Sequence, residues 1–337
     1  MVRSYCAQGL SMERCFKVTG LSKNQYYYKQ SGKKRGRRPS TNTLYKDKSS
    51  EDTELIDNNT VVKRIVNIKL DPDHANYYKL ITRTLCLEGY YINHKKVYRL
   101  MHEHLLLEDK KKQTGKKYVQ YRRVAPSKAL EVIEMDIKYV WLHEKKKYAF
   151  VLTVIDTFTR YVLHWSVGLQ MKTAQVKEVW EYVIAHYIQP YRGMDKSIDI
   201  EVRSDNGKQF SSKEIITFFE ENYLNQVHTH PYTPEENGHV ESFHKTLGKA
   251  ISKDRFTTLD SLETRLNKFY LAYNNKRAHG SILGLPPSIF WALIAMEKVD
   301  VVTDSEKRRT KCMLKVGYQD IMSLPKINEY KYRVLRT

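Results

Sequence analysis

The chain has 337 residues, 41% of them hydrophobic, so it can form two or three domains with buried cores. Its 58 Lys and Arg against 38 Asp and Glu leave a formal charge of +20, which favours nucleic acid because each neutralised phosphate releases a counterion. No long apolar run, signal peptide or CxxC pair is present, which argues against a membrane protein, a disulfide framework and a cysteine-based zinc site. We expect a protein of a reducing, cytoplasmic compartment that does not associate with membranes.

Residues 1–59 are predicted to be a short helical segment followed by a basic arm. Ser11 is positioned to cap one helix and Ser22 the next, and Gly20 separates them. A helix-turn-helix and a plain helical hairpin are both compatible with this pattern. Five of the six residues at positions 33–38 are basic, and such arms commonly lie along phosphates. We predict DNA contacts by Lys33, Lys34, Arg35, Arg37 and Arg38.

Two helices are predicted within residues 60–108. An apolar repeat through Ile81 and Leu85 ends at Gly89, and Asn93 is positioned to cap the following helix. One side of that helix is apolar, and the other carries Lys95, Lys96 and Arg99. This arrangement predicts a helix-turn-helix-like DNA-binding domain whose second helix enters a major groove; a small helical bundle with a solvated basic face is the alternative. Residues 109–127, rich in Lys and Arg, are predicted to be a basic linker.

The pattern changes near residue 128 to a mixture of strands and helices that continues to about residue 295. Strands are predicted near residues 132–137, 148–155, 161–167, 198–203 and 226–230, and helices near residues 173–188, 213–221 and 238–253. Three antiparallel strands followed by alternating helices and strands predict an α/β sheet with helices packed on it. Residues 296–337 contain basic and β-prone pieces without a motif and are predicted to be a C-terminal tail.

Three acidic residues occupy positions at which a lone carboxylate is costly to bury. Asp136 lies within an apolar strand, Asp205 follows the end of another strand, and Glu241 is near the start of a long helix. Phosphodiester cleavage requires activation of an attacking oxygen and stabilisation of a leaving oxygen, which two divalent ions achieve together. Mg²⁺ prefers oxygen ligands and takes few protein carboxylates. Three carboxylates that converge at one sheet edge therefore predict a site for two Mg²⁺ (or Mn²⁺) ions.

The spacing and the surrounding motifs resemble a known group. Asp205 and Glu241 are separated by 35 residues, as in the D,D(35)E transposases and retroviral integrases. The segments that carry the resemblance are Arg203-Ser-Asp-Asn-Gly-Lys-Gln-Phe210, His230-Pro-Tyr-Thr-Pro-Glu-Glu-Asn-Gly-His-Val-Glu241 and Tyr273-Asn-Asn-Lys-Arg-Ala-His279 through Pro287. Within this group the chain is similar to the catalytic, downstream subunit of the insertion sequence three family, over roughly residues 60–295.

The resemblance implies a ribonuclease-H-like core with Asp136, Asp205 and Glu241 as catalytic metal ligands. It implies a nucleoid-associated bacterial protein that binds the terminal inverted repeats of an element in double-stranded DNA, cleaves 3′ ends and joins them to target DNA. It further implies self-association into a synaptic complex, and an upstream helix-turn-helix and coiled-coil partner or fusion. Near the glutamate we predict DNA contacts by Tyr232, Asn237, His244, Lys245 and Lys249.

One position departs from the family pattern. A Lys or Arg usually stands seven residues after the glutamate, where this chain has Gly248. Lys245 and Lys249 lie about one helical turn apart near the face of Glu241, and either is a candidate replacement.

Other interpretations of the same residues are open at this stage. Asp156 is expected to bond its own turn, Glu134 is a candidate supporting residue for Asp136, and the histidines at positions 228, 230, 239 and 244 lack zinc-site spacing. Two other functions are compatible with the chain, namely a DNA-binding regulator without activity and a nuclease that hydrolyses without joining. The three acids argue against the regulator, and the basic front half argues against a general nuclease.

Overall fold

The computed structural model describes residues 1–28, 39–47, 52–108, 124–192, 199–229, 237–304, 306, 308–324 and 327, in two compact units, 1–41 and 42–337. The first unit contains α1 (Val2–Ala7), α2 (Met12–Thr19) and α3 (Lys23–Tyr26). Ser11 accepts from the backbone N–H of Arg14 and Ser22 from that of Gln25, which confirms both predicted caps. The basic arm at residues 33–38 and the segment 109–123 lie outside the described residues.

The second unit opens with a small α/β segment, residues 42–107. Its elements are β1 (Asn42–Lys46), β2 (Thr53–Asp57), α4 (Asn58–Leu70), α5 (Tyr78–Leu87), β3 (Tyr90–Tyr91) and α6 (His94–Glu103). The strands form an antiparallel sheet in the order β2-β1-β3, and none of the three was predicted from the sequence. Gly89 has φ +105°, and a β-carbon there would lie 2.1 Å from the carbonyl oxygen of Lys46, so only glycine fits.

The predicted helical pair of this segment is present. Asn93 caps α6 by accepting from the backbone N–H of Lys96 at 2.9 Å. The apolar faces of α4, α5 and α6 meet in one buried cluster that includes Val61, Ile65, Ile81, Leu85, Val97 and Met101. Packing of this face, rather than helix propensity, holds such short helices together.

A mixed five-stranded sheet forms the core of the chain. Its strands are β4 (Val132–Leu142), β5 (Lys147–Asp156), β6 (Val162–Gly168), β7 (Ile200–Ser204) and β8 (Leu224–His228), in the order β6-β5-β4-β7-β8. The first three are antiparallel, and β7 and β8 run parallel to β4. This mixed sheet with flanking helices confirms the predicted ribonuclease-H-like class.

Helices cover both faces of the sheet. One face carries α7 (Thr173–Val183), which continues through a π turn (Ile184–Ile188) into α8 (Gln189–Arg192), and α9 (Lys213–Glu221); the other carries α10 (Gly238–Ala250) and α11 (Leu259–Asn275). Successive strand residues point to opposite faces, so Ile133, Met135 and Ile137 pack beneath α7 and α9. Glu134, Asp136 and Lys138 consequently point towards α10.

The last elements are α12 (Pro287–Ala295) and a hairpin of β9 (Val299–Asp304) and β10 (Arg309–Leu314). This hairpin lies within the predicted C-terminal tail and packs in a cluster with Leu285, Phe290 and Leu293, and Thr310 donates to the carbonyl oxygen of Pro126 at 2.7 Å. None of the helices in the described part of the chain is long and apolar enough to cross a membrane.

A buried ion pair and two hydrogen bonds to the backbone join the front segment to the core. Asp73, whose side chain is 2% exposed, accepts from Nη2 of Arg265 on α11 at 2.7 Å and from Nη1 at 3.3 Å. Arg277 donates to the backbone carbonyl oxygens of Asp73 and His74 at 2.8 and 2.9 Å. Residues 73–74 are therefore fixed against the helix that covers the sheet.

Candidate active site

Parallel pairing of β4 and β7 places two of the predicted acids in neighbouring strands. Glu134 of β4 pairs with Arg203 of β7, and Asp136 and Asp205 each lie two residues further along. Asp136 is half-buried, whereas Asp205 follows the last residue of β7 and is exposed. The carboxylate of Asp205 turns back to accept from the backbone N–H of Gly207 at 2.9 Å. The two aspartates are thus brought to the same region of the sheet.

The third acid, Glu241, stands in the first turn of α10. A negative charge is favourable there because the first turn carries unpaired backbone N–H groups and the positive end of the helix dipole. Its Oε2 atom lies 3.8 Å from Nζ of Lys245, one turn further along. Asp136 lies on the face of β4 against which α10 packs.

Three same-face residues of β4 meet three levels of α10. Glu134 contacts His239, Asp136 contacts His244, and the side chain of Lys138 reaches Gly248. Successive contact residues are two positions apart on β4, a rise of about 6.6 Å, and four to five positions apart on α10, a rise of about 6–7.5 Å. The contact residues are therefore spaced almost equally along the strand and the helix. We call this set of contacts the β4–α10 ladder. It aligns the helix that carries Glu241 along the strand that carries Asp136.

Glu134 anchors the start of α10. Its side chain is fully buried, and Oε2 accepts from the backbone N–H groups of His239 at 2.9 Å and Val240 at 2.7 Å. Its Oε1 atom accepts from Nδ1 of His239 at 2.7 Å. The carboxylate therefore satisfies two of the N–H groups that every helix leaves unpaired at its start. The sequence analysis considered Glu134 as a supporting residue, and the contacts show that it supports the helix of Glu241.

His244 holds the carboxylate of Asp136. Its Nδ1 lies 3.1 Å from Oδ2 of Asp136, while the backbone N–H of Ile137 donates to Oδ1 at 2.8 Å. A histidine that donates to a carboxylate fixes its rotamer and lowers its freedom to turn away. Both His244 and Asn237, which donates to the carbonyl oxygen of Met135 at 3.5 Å, are buried. Their predicted contact with DNA stays a prediction, and the contacts shown are with β4.

Lys138 occupies the space beside the unusual glycine. A β-carbon added at Gly248 would lie 3.4 Å from Nζ of Lys138 and 3.6 Å from its Cε. The strand thus brings a cation to the position where the resembling family has a basic helix residue. Lys245 and Lys249, the two candidates from the sequence, are exposed on α10. Strand alternation from Asp136 to Lys138 was the signal that would have identified this residue.

The donor set of the three acids suits a hard divalent cation, since all of its atoms are carboxylate oxygens. Within the described residues, however, no three His, Cys, Asp or Glu side chains are close enough to hold a metal ion. The carboxylates are engaged locally instead, Asp205 with Gly207, Glu241 with Lys245 and Asp136 with His244. The three carboxylates suit such a cation in their chemistry, and their joint binding of it stays a prediction.

Asp156 has the local role expected for it. It is fully buried at the end of β5 and accepts from the backbone N–H groups of Leu130 and Thr159 and from the hydroxyl of Thr159. Burial raises the pKa of its carboxyl, and these hydrogen bonds oppose that rise. Asp156 therefore holds the turn before β6.

The other predicted DNA contacts are spread over the surface. On α6, Lys95 is exposed, whereas Lys96 donates to the carbonyl oxygen of Asn42 at 2.5 Å and Arg99 pairs with Glu103 at 3.3 Å. Burial, together with the neighbouring charge of Arg99, lowers the pKa of Lys96. Tyr232 lies outside the described residues, as do Lys33, Lys34, Arg35, Arg37 and Arg38.

Comparison with known proteins identifies the domain that carries this site. Two profiles described as integrase core domain match residues 126–234 and 222–287. Together they run from the segment before β4 to the start of α12 and include all three acids. The second profile contains the helix of Glu241 and the segment Tyr273–Asn275 with Asn274, whose side chain bonds both backbone groups of Val162 in β6 at 2.9 Å.

Proteins of bacterial insertion elements are similar over most of the chain. An uncharacterized 39.2 kDa protein of insertion element IS476 in Xanthomonas euvesicatoria is 27% identical over 67% of this chain and 63% of its own length. A 31.7 kDa protein of IS407 in Burkholderia multivorans is 25% identical over 70% of this chain and 82% of its own. The transposase of IS904 in Lactococcus lactis is 24% identical over 60% of this chain and 81% of its own.

Among solved structures, the catalytic core domain of BIV integrase aligns at a TM-score of 0.37 and 22% identity, covering 50% of this chain and 98% of that domain. The Mos1 transposase catalytic domain aligns at a TM-score of 0.37 and 14% identity, covering 42% and 72%. The profile matches coincide with the sheet, its helices and the three acids. Residues 126–287 therefore match the integrase core domain, and the chain is similar to proteins of bacterial insertion elements over this region.

Proposed function

We propose that the chain is a transposase that binds the terminal inverted repeats of an insertion sequence, cleaves 3′ ends and transfers them to target DNA, with Asp136, Asp205 and Glu241 as catalytic residues. The observation that carries this proposal is the β4–α10 ladder inside an integrase core domain. It holds the helix of Glu241 against the strand of Asp136, and the parallel neighbour of that strand ends at Asp205.

Each residue of the site has a distinct role in this proposal. Asp136, Asp205 and Glu241 hold two Mg²⁺ or Mn²⁺ ions. When bound, these ions activate the attacking oxygen and stabilise the leaving oxygen. Glu134 fixes the start of α10, His244 fixes the rotamer of Asp136, and Lys138 contacts a phosphate of the DNA strand. The attacking group is water in cleavage and the freed 3′-hydroxyl in transfer, so no covalent enzyme intermediate is formed.

The local contacts of the acids can be exchanged for a cation at little cost. A partly exposed Glu–Lys pair four residues apart on a helix contributes at most about 0.5 kcal/mol, and the Glu241–Lys245 pair is of this kind. Asp205 is exposed, and its bond to Gly207 uses only Oδ1. Asp136 is half-buried and keeps His244 as an orienting donor.

The proposal includes partners. Double-stranded DNA is the substrate, consistent with the formal charge of +20. Joining of two element ends to one target requires two active sites to act together, so we include self-association into a synaptic complex. An upstream helix-turn-helix and coiled-coil protein, or a fusion to it, is part of the proposal for full activity.

The test incubates the protein with labelled element-end DNA and Mg²⁺ and scores nicked and joined products. Asp205→Ala and Glu241→Gln are run beside Glu144→Gln, a matched change in the exposed turn between β4 and β5. We expect metal-dependent joining by the wild type and Glu144→Gln and a loss of about a thousandfold or more in both site variants.

Two outcomes would contradict the proposal. Joining that survives Asp205→Ala and Glu241→Gln would show that the active site lies elsewhere. Metal-dependent hydrolysis without joining, in the presence of an upstream partner, would identify a nuclease rather than a transposase.

A further inference from the structure

A basic cavity of about 440 Å³ lies beside the active site. Its walls come from the turn after β5, the start of α10 and the β9–β10 hairpin. Four cationic side chains line it, and no carboxylate does among the residues that the structure describes; the four are Arg160, Arg308, Arg309 and Lys311. A cavity of this size is within the range of ligand sites, about 300–1,000 Å³, and its charge selects an anion.

Arg160 lines the cavity with one guanidinium nitrogen unpaired, and the nearby carboxylates of Glu134 and Asp156 offset part of its charge. Its φ of +64° is unfavourable for a residue with a side chain, and the buried carboxylate of Asp156 holds the turn that imposes it. The Nε atom donates to Ser281 at 3.3 Å, while Nη1 is buried and has no hydrogen-bond partner within the described ranges. Burial lowers the pKa of Arg160. An anion entering the cavity would offset the cost of this buried cation.

The β9–β10 hairpin supplies the outer wall. Thr310 fixes it by donating to the carbonyl oxygen of Pro126 at 2.7 Å, and its neighbours Arg309 and Lys311 are exposed. Arg308, also exposed, precedes them at the start of the strand. A fixed hairpin with exposed cations forms an open rim. Such a rim suits a chain that runs through the cavity better than a small anion that must be enclosed.

The cavity lining also contains apolar side chains and a residue that contacts the active-site strand. The apolar side chains are Phe158 and Ile282, against which the carbon atoms of a deoxyribose would pack. His239, two residues before Glu241, also lines the cavity. Its side chain forms a hydrogen bond with Glu134. The cavity therefore adjoins the β4–α10 ladder at His239.

We infer that this cavity binds the sugar-phosphate backbone of the DNA strand that leads to the active site, with Arg160 at the inner phosphate and Arg309 and Lys311 at the rim. The inference deepens the proposed function and rests on it for the identity of the DNA. It assigns a DNA-binding role to the C-terminal hairpin, a region in which the sequence contains no motif.

The test measures DNA affinity at several salt concentrations in EDTA, so that the active site contributes no metal-dependent binding. The variant is Arg309→Gln with Lys311→Gln, and the matched control is Lys145→Gln with Lys147→Gln, exposed residues in the turn after β4 and at the start of β5. Each lost phosphate contact should lower the slope of log Kd against log salt by about 0.9. We expect the rim variant to lower the slope by about one to two, and the control to leave it unchanged.

Arg160→Gln tests the inner wall in the same assay, after circular dichroism has shown that it is folded. It should weaken DNA binding several-fold and lower the slope further when combined with the rim variant. Equal slopes for rim variant, control and wild type would overturn the inference. The inference would also be overturned if the rim variant lost binding of inorganic phosphate but bound DNA like the wild type, since the ligand would then be a free anion.

The outcome is separable from that of the proposed function. If the wild type fails to join DNA in Mg²⁺ although the rim variant lowers the salt slope, the catalytic proposal fails and the cavity assignment stands. If the wild type joins DNA and the rim variant has the wild-type slope, the cavity assignment alone fails.

Discussion

His239 lies between two regions, the β4–α10 ladder and the basic cavity, which differ in how their charged side chains are paired. On the β4 side, Glu134 and Asp136 accept hydrogen bonds from groups of the protein itself. On the cavity side, the described lining carries four cationic side chains and no carboxylate, and Nη1 of Arg160 has no hydrogen-bond partner within the described residues. The first region is held by contacts within the protein, and in our inference the second is completed by DNA. Changes on the β4 side should therefore affect stability and chemistry together, whereas changes on the cavity side should affect binding.

The largest effect that sharpens this comparison is expected for Glu134→Gln. The glutamine side chain keeps the shape of glutamate but loses its negative charge. The glutamate carboxylate accepts hydrogen bonds from two backbone N–H groups and from Nδ1 of His239. We expect the free energy of unfolding to fall by about 1–3 kcal/mol, and joining per folded molecule to fall about ten- to a hundredfold. Chemical denaturation and single-turnover joining at low temperature measure the two quantities.

The control for this prediction is Glu144→Gln, which should change neither quantity. The Mg²⁺ concentration at half-maximal rate should rise in Glu134→Gln, because Glu241 is no longer held in place. An unfolding free energy that falls while the joining rate and Mg²⁺ requirement stay at wild-type values would leave Glu134 with a structural role only.

A smaller effect is expected for His244→Ala. Asp136 would lose its side-chain donor but keep its strand and the N–H of Ile137. Partners of metal-binding carboxylates typically contribute about ten- to a hundredfold to activity, and we expect the lower end. His244→Gln, which can donate to the same oxygen, should recover part of the rate, and His143→Ala at an exposed position is the control. Equal rates for alanine and glutamine would argue against an orienting bond.

The smallest effect concerns Lys138 and Gly248. Lys138→Gln should weaken DNA binding several-fold and lower the salt slope by about 0.9, since one phosphate contact is lost. In the same background, Gly248→Lys should restore the slope, because it returns a cation to the same space from the helix. Restoration by Lys at position 248 but not by Ala would assign the effect to charge. A wild-type slope in Lys138→Gln would exclude this contact.

Local signals were sufficient for much of the fold. Ser11 and Asn93 cap the helices that their sequence context predicts, because a cap depends on residues within one turn. The strand before Asp205 and the helix of Glu241 were found from hydrophobic period and from the family motifs. The resemblance, rather than periodicity, supplied the chemistry of these residues.

Contacts between distant parts of the chain could not be predicted in the same way. Glu134 and His239 are 105 residues apart, and their contact depends on how the rises of β4 and α10 match. The strands β1 and β2 are short and mostly polar, so their pairing, which is what stabilises them, has no strong signal in hydrophobicity. The β9–β10 hairpin was missed because its apolar residues pack on α12, and a local sequence pattern does not show which other element a strand packs against.

The bonds of Asp73 to Arg265, and of Arg277 to the backbone at residues 73–74, have a consequence for how DNA is measured. They join the segment that ends in α6 to the helix beside the acids, independently of the chain that connects the two. If α6 reads a base sequence, as predicted, the distance from the recognised base pairs to the bond that is cut is then set by the folded protein. The acids would meet the DNA at a fixed number of base pairs from the recognised sequence.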